Sequence, residues 1–196
     1  MITAPFKVVL DANVLYPFSL RDTLLRAAAA ALFQVYWSDE ILEETRRNLV
    51  KSAGVSAESA AKLIATMRAA FPEACVTGYE SLVVSMKNDP KDAHVAAAAV
   101  KAGAQVIVTS NLADFRNLPD GIEAQSPDEF LGNLFDLDRE GLVDLLREQA
   151  AALRRPPRSF EELVAGLAKV VPEFVAAVRA HLSPPIEPDE KGASRS

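Results

Sequence analysis

The feature that most constrains the fold is a short apolar run, FKVVL at 6–10, that stops at an acid, Asp11. A mainly apolar run of that length, bounded by a polar residue, is what a strand buried on both faces requires. A second such run, AQVIVTS at 104–110, lies between Gly103 and the polar Ser110-Asn111. QVYW (34–37), CVTGY (75–79) and IEAQS (122–126) supply further strand candidates, and Tyr36 and Trp37 are expected in the core. Helix formers fill the gaps: 22–33 behind an Asp22 cap, 38–51 behind Ser38, 56–71 behind Ser56, and the stretch from Asn88-Asp89-Pro90 to Gly103. Strands alternating with helices predict an α/β fold, a three-layer α/β/α sandwich around a central, mostly parallel sheet.

After Pro127 the strand pattern ends. Residues 127–134, 138–153 and 159–181 read as helices, the last split at Pro172. The chain therefore divides into an α/β domain over 1–130, a helical C-terminal extension over 131–183 and a proline-rich, charged tail over 184–196 that is expected to be disordered.

Composition narrows the function classes. Hydrophobic residues make up 49% of the 196, enough for a real core. No apolar run reaches the length of a membrane span, so no membrane partner is expected and cytoplasmic residence is the default. Cys75 is the single cysteine and His94 and His181 the only histidines, which excludes an internal disulfide, a Cys/His zinc cage and a His-based acid/base pair. His94 is expected on a helix surface. No GxxxxGK[ST] or GxGxxG occurs. The net charge of −6 argues against a protein that coats nucleic acid, but four acids assigned to a metal would leave residues 1–126 with 12 basic against 10 acidic side chains. Charge therefore vetoes nothing.

The acids themselves carry the chemistry. Asp11 ends the first strand, at the sheet edge where open parallel sheets bind ligands; capping the next helix is its other reading. Asn13, two residues on, is placed to hold Asp11 or a water. In SDEILEETRR, Ile41, Leu42, Thr45 and Leu49 define the buried stripe, and Glu44 lies closer to it than Glu40 or Glu43. With Asp89 as N-cap and Pro90 as the first helical residue, Asp92 falls at the third helical position, where it either bonds back in a capping box or serves the site. It shares a face with Val95, Ala96, Ala99 and Val100, and an acid on a core-facing stripe needs a partner. The strand QVIVT delivers Asp114 to the same edge as Asp11, with Phe115 packing inward. Four acids meeting at one rim, Asp11, Glu44, Asp92 and Asp114, need a compensating cation, and oxygen ligands alone suit Mg²⁺ or Mn²⁺. A divalent ion held by carboxylates suits phosphodiester hydrolysis, with water attack leaving 5′-phosphate and 3′-hydroxyl ends.

LDANVL at 10–15, the SDEILEE helix, NDPKDAHVAAAA at 88–99 and IVTSNLADF at 107–115 resemble, in that order, the PIN-domain ribonucleases, and more closely the VapC-type toxins of bacterial toxin–antitoxin pairs. By position, Asp11, Glu44 and Asp92 match the family's first three acids, and Thr109 matches the residue that orients the site. Asn111 stands where many members carry Asp; Asp114 matches another acid seen there, which leaves Asp11, Asp92 and Asp114 as the metal ligands. The resemblance implies a Mg²⁺-dependent endoribonuclease acting on structured RNA (tRNA or rRNA), a cognate antitoxin protein and a homodimer. Arg46, Arg47, Lys87 and Lys91 flank the acidic segments and are expected to contact RNA phosphates. A haloacid-dehalogenase-like phosphatase is disfavoured because Asn13 replaces its general acid. A catalytically silent RNA-binding or regulatory module, with Asn111 marking a decayed site, is the competing reading.

Overall fold

A computed structural model describes residues 6–154 and 156–183; residues 1–5 of the expected first domain and the expected tail 184–196 lie outside the described residues. In chain order the elements are β1 (Lys7–Leu10), α1 (Ala12–Leu15), α2 (Phe18–Ala29), β2 (Gln34–Ser38), α3 (Asp39–Lys51), α4 (Ala57–Ala70), β3 (Cys75–Val76), α5 (Glu80–Val83), α6 (Ala93–Ala102), β4 (Val106–Val108) and β5 (Glu123–Gln125). Four more helices follow: α7 (Pro127–Leu137), α8 (Arg139–Ala152), α9 (Phe160–Leu167) and α10 (Pro172–Leu182).

The five strands form one sheet in the order β3-β2-β1-β4-β5, and every pairing is parallel. Helices flank it, so the expected α/β sandwich is the architecture observed. The chain steps from β1 outward to β2 and β3, then returns past β1 to β4. That reversal between β1 and β4 is the topological switch point, where parallel sheets leave a crevice beyond their carboxyl ends. Parallel crossovers are right-handed almost without exception, so the reversal sends α6 across the face opposite to α2. Register completes the placement. Leu10 pairs with Val108, so Asp11 and Thr109 emerge side by side past the two strand ends.

Local chemistry explains most element boundaries. Ser38, Ser56, Ser126 and Ser159 accept N–H bonds at the starts of α3, α4, α7 and α9, the last in a complete capping box with Glu162. Gly103, at φ +65°, closes α6 in the left-handed conformation that only glycine adopts without strain. Two expectations fail. The helix expected at 22–33 begins at Phe18, and Asp22 sits inside it, paired with Arg26 at 3.1 Å rather than capping. The expected strand 75–79 stops at Val76, since Gly78 takes φ +70° and turns the chain into α5.

The C-terminal helices share one apolar core with the sheet, which runs from Val8 and Ile107 through Leu131 and Leu146 to Phe174 and Val178. α7 crosses the expected boundary at residue 130 and inserts Phe130 edge-on against Phe33, with centroids 5.1 Å apart and planes at 85°. Thr23 of α2 donates to Gln149 of α8 at 2.8 Å, both fully buried. No residue of α10 caps its own helix. Instead Asp128 of α7 accepts the Glu173 and Phe174 N–H groups at 3.0 and 2.8 Å. Among the described residues no helix is long and apolar enough to cross a membrane. Removing this borrowed cap should loosen α10: Asp128→Ala is expected to destabilise the protein by about 1 kcal/mol, read as a lower urea midpoint with an unchanged slope.

Candidate active site at the carboxyl edge of the sheet

Asp11 is buried, 3% exposed, and its carboxylate accepts three hydrogen bonds from the protein. One carboxylate oxygen accepts the Ala12 N–H at 2.6 Å, capping α1; the other accepts Thr109 Oγ1 at 2.8 Å and Asn13 Nδ2 at 2.6 Å. The capping reading of Asp11 therefore holds, while its other oxygen is held at the sheet edge by Thr109 and Asn13. Asn13 also reaches Thr109 Oγ1 at 2.9 Å and accepts the Ser110 N–H at 2.9 Å, while Thr109 Oγ1 accepts the Asn111 N–H at 3.1 Å. Burial pushes the Asp11 carboxyl up; the Thr109 and Ala12 hydrogen bonds oppose that rise, and the nearby Glu44 charge adds to it.

Asn111 donates through Nδ2 to the Asp114 carboxylate, and the Asp114 carbonyl accepts the Asp89 N–H at 3.1 Å. The loop after β4 is thus tied to the loop before α6. There the capping box, one of the two readings of Asp92, does not form. Asp89 accepts the Lys91 N–H at 3.0 Å and its carbonyl accepts the Asp92 N–H at 3.0 Å, closing a turn around Pro90. α6 consequently starts only at Ala93, and the Asp92 side chain makes no capping bond. It faces other acids instead: burial, then the charges of Asp11 and Asp114, then an Asp114 hydrogen bond and Asp89, push its pKa up to about 6.

Glu44 is half-buried, and its contact with His94, Nε2 to Oε2 at 3.6 Å, holds its carboxyl below the usual range against the effect of burial. His94 is not on the surface as expected; it is 5% exposed. The residues from Ala93 to Ala99 are all buried, because α6 lies between the sheet and α5. A helix that is apolar on every face is a buried one, and HVAAAA carried that signal. Trp37 is buried and Tyr36 half-buried, as expected.

Asp11, Ala12, Asn13, Glu44, Arg47, Asn48, Lys51 and Asp92 line one cleft of about 370 Å³. Glu44, Arg47, Asn48 and Lys51 follow one another at spacings of three and four on α3, a stripe that sequence reasoning had only in part, missing Asn48 and Lys51. Of the expected RNA contacts, Arg47 lies in this cleft. Arg46 is turned to Glu43, with its bonds at 2.7 and 2.8 Å, Lys87 lines a separate hollow beside Met86 and Leu118, and Lys91 is exposed on the turn before Asp92.

The donors at the rim are all oxygens, which fits a hard divalent cation. Among the described residues no group of three or more His, Cys, Asp or Glu side chains stands close enough to hold a metal ion as arranged here. The site is an open cluster of mutually repelling carboxylates, and the raised Asp92 pKa records an electrostatic strain that either a proton or a cation relieves. The sign of the linkage follows. A carboxyl whose folded pKa is raised stabilises the fold below the unfolded value of 3.8, and that stability is lost as pH rises through about 6. In EDTA at pH 7.5, Asp92→Asn is expected to raise stability by about 1 kcal/mol, a figure discounted for the solvent screening of a half-exposed group, with the gain vanishing near pH 4 in urea titrations.

Comparison with known proteins matches the two halves of this architecture separately. A family model described as PIN domain matches residues 7–113, more than half of the chain. A second, described as VapC50 C-terminal domain, matches residues 127–180, from the start of α7 into α10. A protein of Mycobacterium tuberculosis (strain ATCC 25618 / H37Rv) named "Putative ribonuclease VapC50" is 39% identical over 105 residues, which cover 52% of this chain and 62% of that protein. The match thus spans less than two thirds of that relative's length.

Proposed function

Because this chain belongs to the PIN-domain family, we propose that it is a metal-dependent endoribonuclease, the toxin of a type II toxin–antitoxin pair, acting on structured RNA such as tRNA or rRNA. The observation that carries the reading is the cleft at the switch point lined by Asp11, Glu44 and Asp92, with Asp114 tied by Asn111 and by its carbonyl to the turn that leads into Asp92. The similarity to a protein named as a ribonuclease supports the choice of RNA. A cognate antitoxin is the expected protein partner and the cytoplasm the expected compartment, with a second copy of the chain as a further partner.

Asp11, Asp92 and Asp114 would hold Mg²⁺ or Mn²⁺, which when bound neutralises phosphate charge and acidifies a water. The remaining work belongs to the chain's own groups. Thr109 and Asn13 fix the position of Asp11 through hydrogen bonds to one oxygen, and the Thr109 bond favours its ionised form against the effect of burial. Asn111 orients Asp114 without adding a charge. Glu44, kept ionised and lining the same cleft, accepts a proton from the attacking water. Arg47 and Lys51, one turn apart on α3, flank the cleft and bind the phosphates on either side of the scissile bond.

The deciding experiment incubates antitoxin-free protein with tRNA and rRNA in Mg²⁺. Cleavage that leaves 5′-phosphate ends, stops in EDTA and falls at least about 100-fold in Asp11→Asn is expected, the last because one preorganised electrostatic group contributes on that scale. RNA binding with no cleavage under these conditions would establish the silent module instead. A separate test concerns the cleft. Lys51→Ala should weaken RNA binding several-fold and flatten its salt dependence by about one unit of slope, whereas Arg46→Ala, which removes a side chain held by Glu43, should leave both unchanged within about twofold in filter-binding assays.

A further inference from the structure

His94 is a buried ionisable group that the proposed chemistry leaves without a task. It sits one residue inside α6, two positions after Asp92, in a segment otherwise made of alanine and valine. Any apolar side chain of similar size would fill that space without an unmet polar atom. Yet both ring nitrogens are buried, and among the described residues neither makes a hydrogen bond. Burying two such groups unpaired is costly, so their surroundings need explaining. Each nitrogen faces a different carboxylate of α3: Nδ1 stands 3.7 Å from Glu40 Oε2, and Nε2 stands 3.6 Å from Glu44 Oε2. Glu40 and Glu44 are one helical turn apart, so a single imidazole spans both.

We propose that His94 is a positioning residue that clasps Glu40 and Glu44 and thereby holds the Glu44 carboxylate over the cleft it shares with Asp11 and Asp92. The inference rests on the nuclease reading for its effect on rate, but the clasp itself is a matter of geometry. Two contacts around it give the clasp its direction. Tyr79 OH stands 3.5 Å from Glu40 Oε2, a second contact on that carboxylate. At the other end, Glu44 Oε1 stands 3.8 Å from Arg47 Nη2 on its own helix. Without His94, the Arg47 contact would draw the Glu44 carboxylate along α3, within the cleft that both residues line. His94 opposes that pull from α6. It therefore links α3, which carries Glu44, to the first turn of α6, which Asp92 directly precedes.

The test compares the unmodified protein with His94→Leu, His94→Gln, Glu44→Gln and the double variant His94→Leu/Glu44→Gln. Removing a group that orients a functional side chain typically lowers activity about 10–100-fold, so His94→Leu is expected to reduce kcat by that factor with KM changed less than about threefold. His94→Gln keeps an amide donor and should recover kcat to within about tenfold of the unmodified protein. In the Glu44→Gln background, His94→Leu should add less than about a twofold loss. An equal loss in both backgrounds, or an unchanged kcat in His94→Leu, overturns the proposal. Urea unfolding of the same proteins gives a readout free of activity. Midpoint shifts of the two single substitutions that fail to add in the double variant support the clasp, and strictly additive shifts overturn it. Should the unmodified protein cut no RNA in Mg²⁺, the nuclease reading falls while the unfolding cycle still decides whether His94 and Glu44 are coupled.

Discussion

One buried carboxylate organises this end of the molecule. Asp11 follows β1 directly, and Thr109 follows β4, its neighbour in the sheet. A single hydrogen bond of 2.8 Å between them, reinforced by Asn13, joins segments 98 residues apart in sequence. The ladder between β1 and β4 supplies the register; the side-chain bond fixes where the loops leave it. From Thr109 the order passes to Asn111 by a backbone N–H bond, from Asn111 to Asp114, and from the Asp114 carbonyl to Asp89 at the entry to α6. The acids are placed by this chain of contacts, each of which is local and ordinary.

That placement is electrostatically unfavourable by itself. Burial raises the Asp11 pKa, and Asp92 is pushed to about 6 by burial and its acidic neighbours. A fold assembled only for stability would not gather these groups in a half-buried cleft. The surrounding structure offsets the strain with a closely packed sheet whose central strands β1 and β4 are buried from Val8 to Leu10 and from Val106 to Val108. The C-terminal helices add to this scaffold rather than forming a separate body. Phe130 closes the aromatic group at the start of the sheet, and Asp128 and Gln149 tie α7 to α10 and α8 to α2.

Much of this was legible in the residues. The runs ending at Asp11 and at Ser110 have the mainly apolar character of strands covered on both faces, and the serine caps and Gly103 mark helix ends by chemistry that acts within a few residues. The helical stripe on α3 singled out Glu44 over Glu43 for the same reason. The misreadings share a cause as well. Asp22 and the Asp89-Pro90 pair each look like helix starts, but a cap competes with its neighbours. α2 begins earlier, at Phe18, where Leu20 and Leu24 have core to bury, and α6 begins later because Asp89 closes a turn with Lys91 and Asp92 first.

Sequence alone determined the order of strands and helices, the acids that end them and the all-oxygen character of the site, because these follow from periodicity, capping and side-chain chemistry over short spans. Tertiary structure decided which acids stand together, and it made His94 a buried bridge to Glu40 and Glu44 instead of a surface residue. It also put Lys51, rather than Lys87, beside the carboxylates. Distances between residues remote in the chain are set by strand order and by how α6 is packed between the sheet and α5. No local pattern of residues encodes that packing, since it depends on every layer being filled at once.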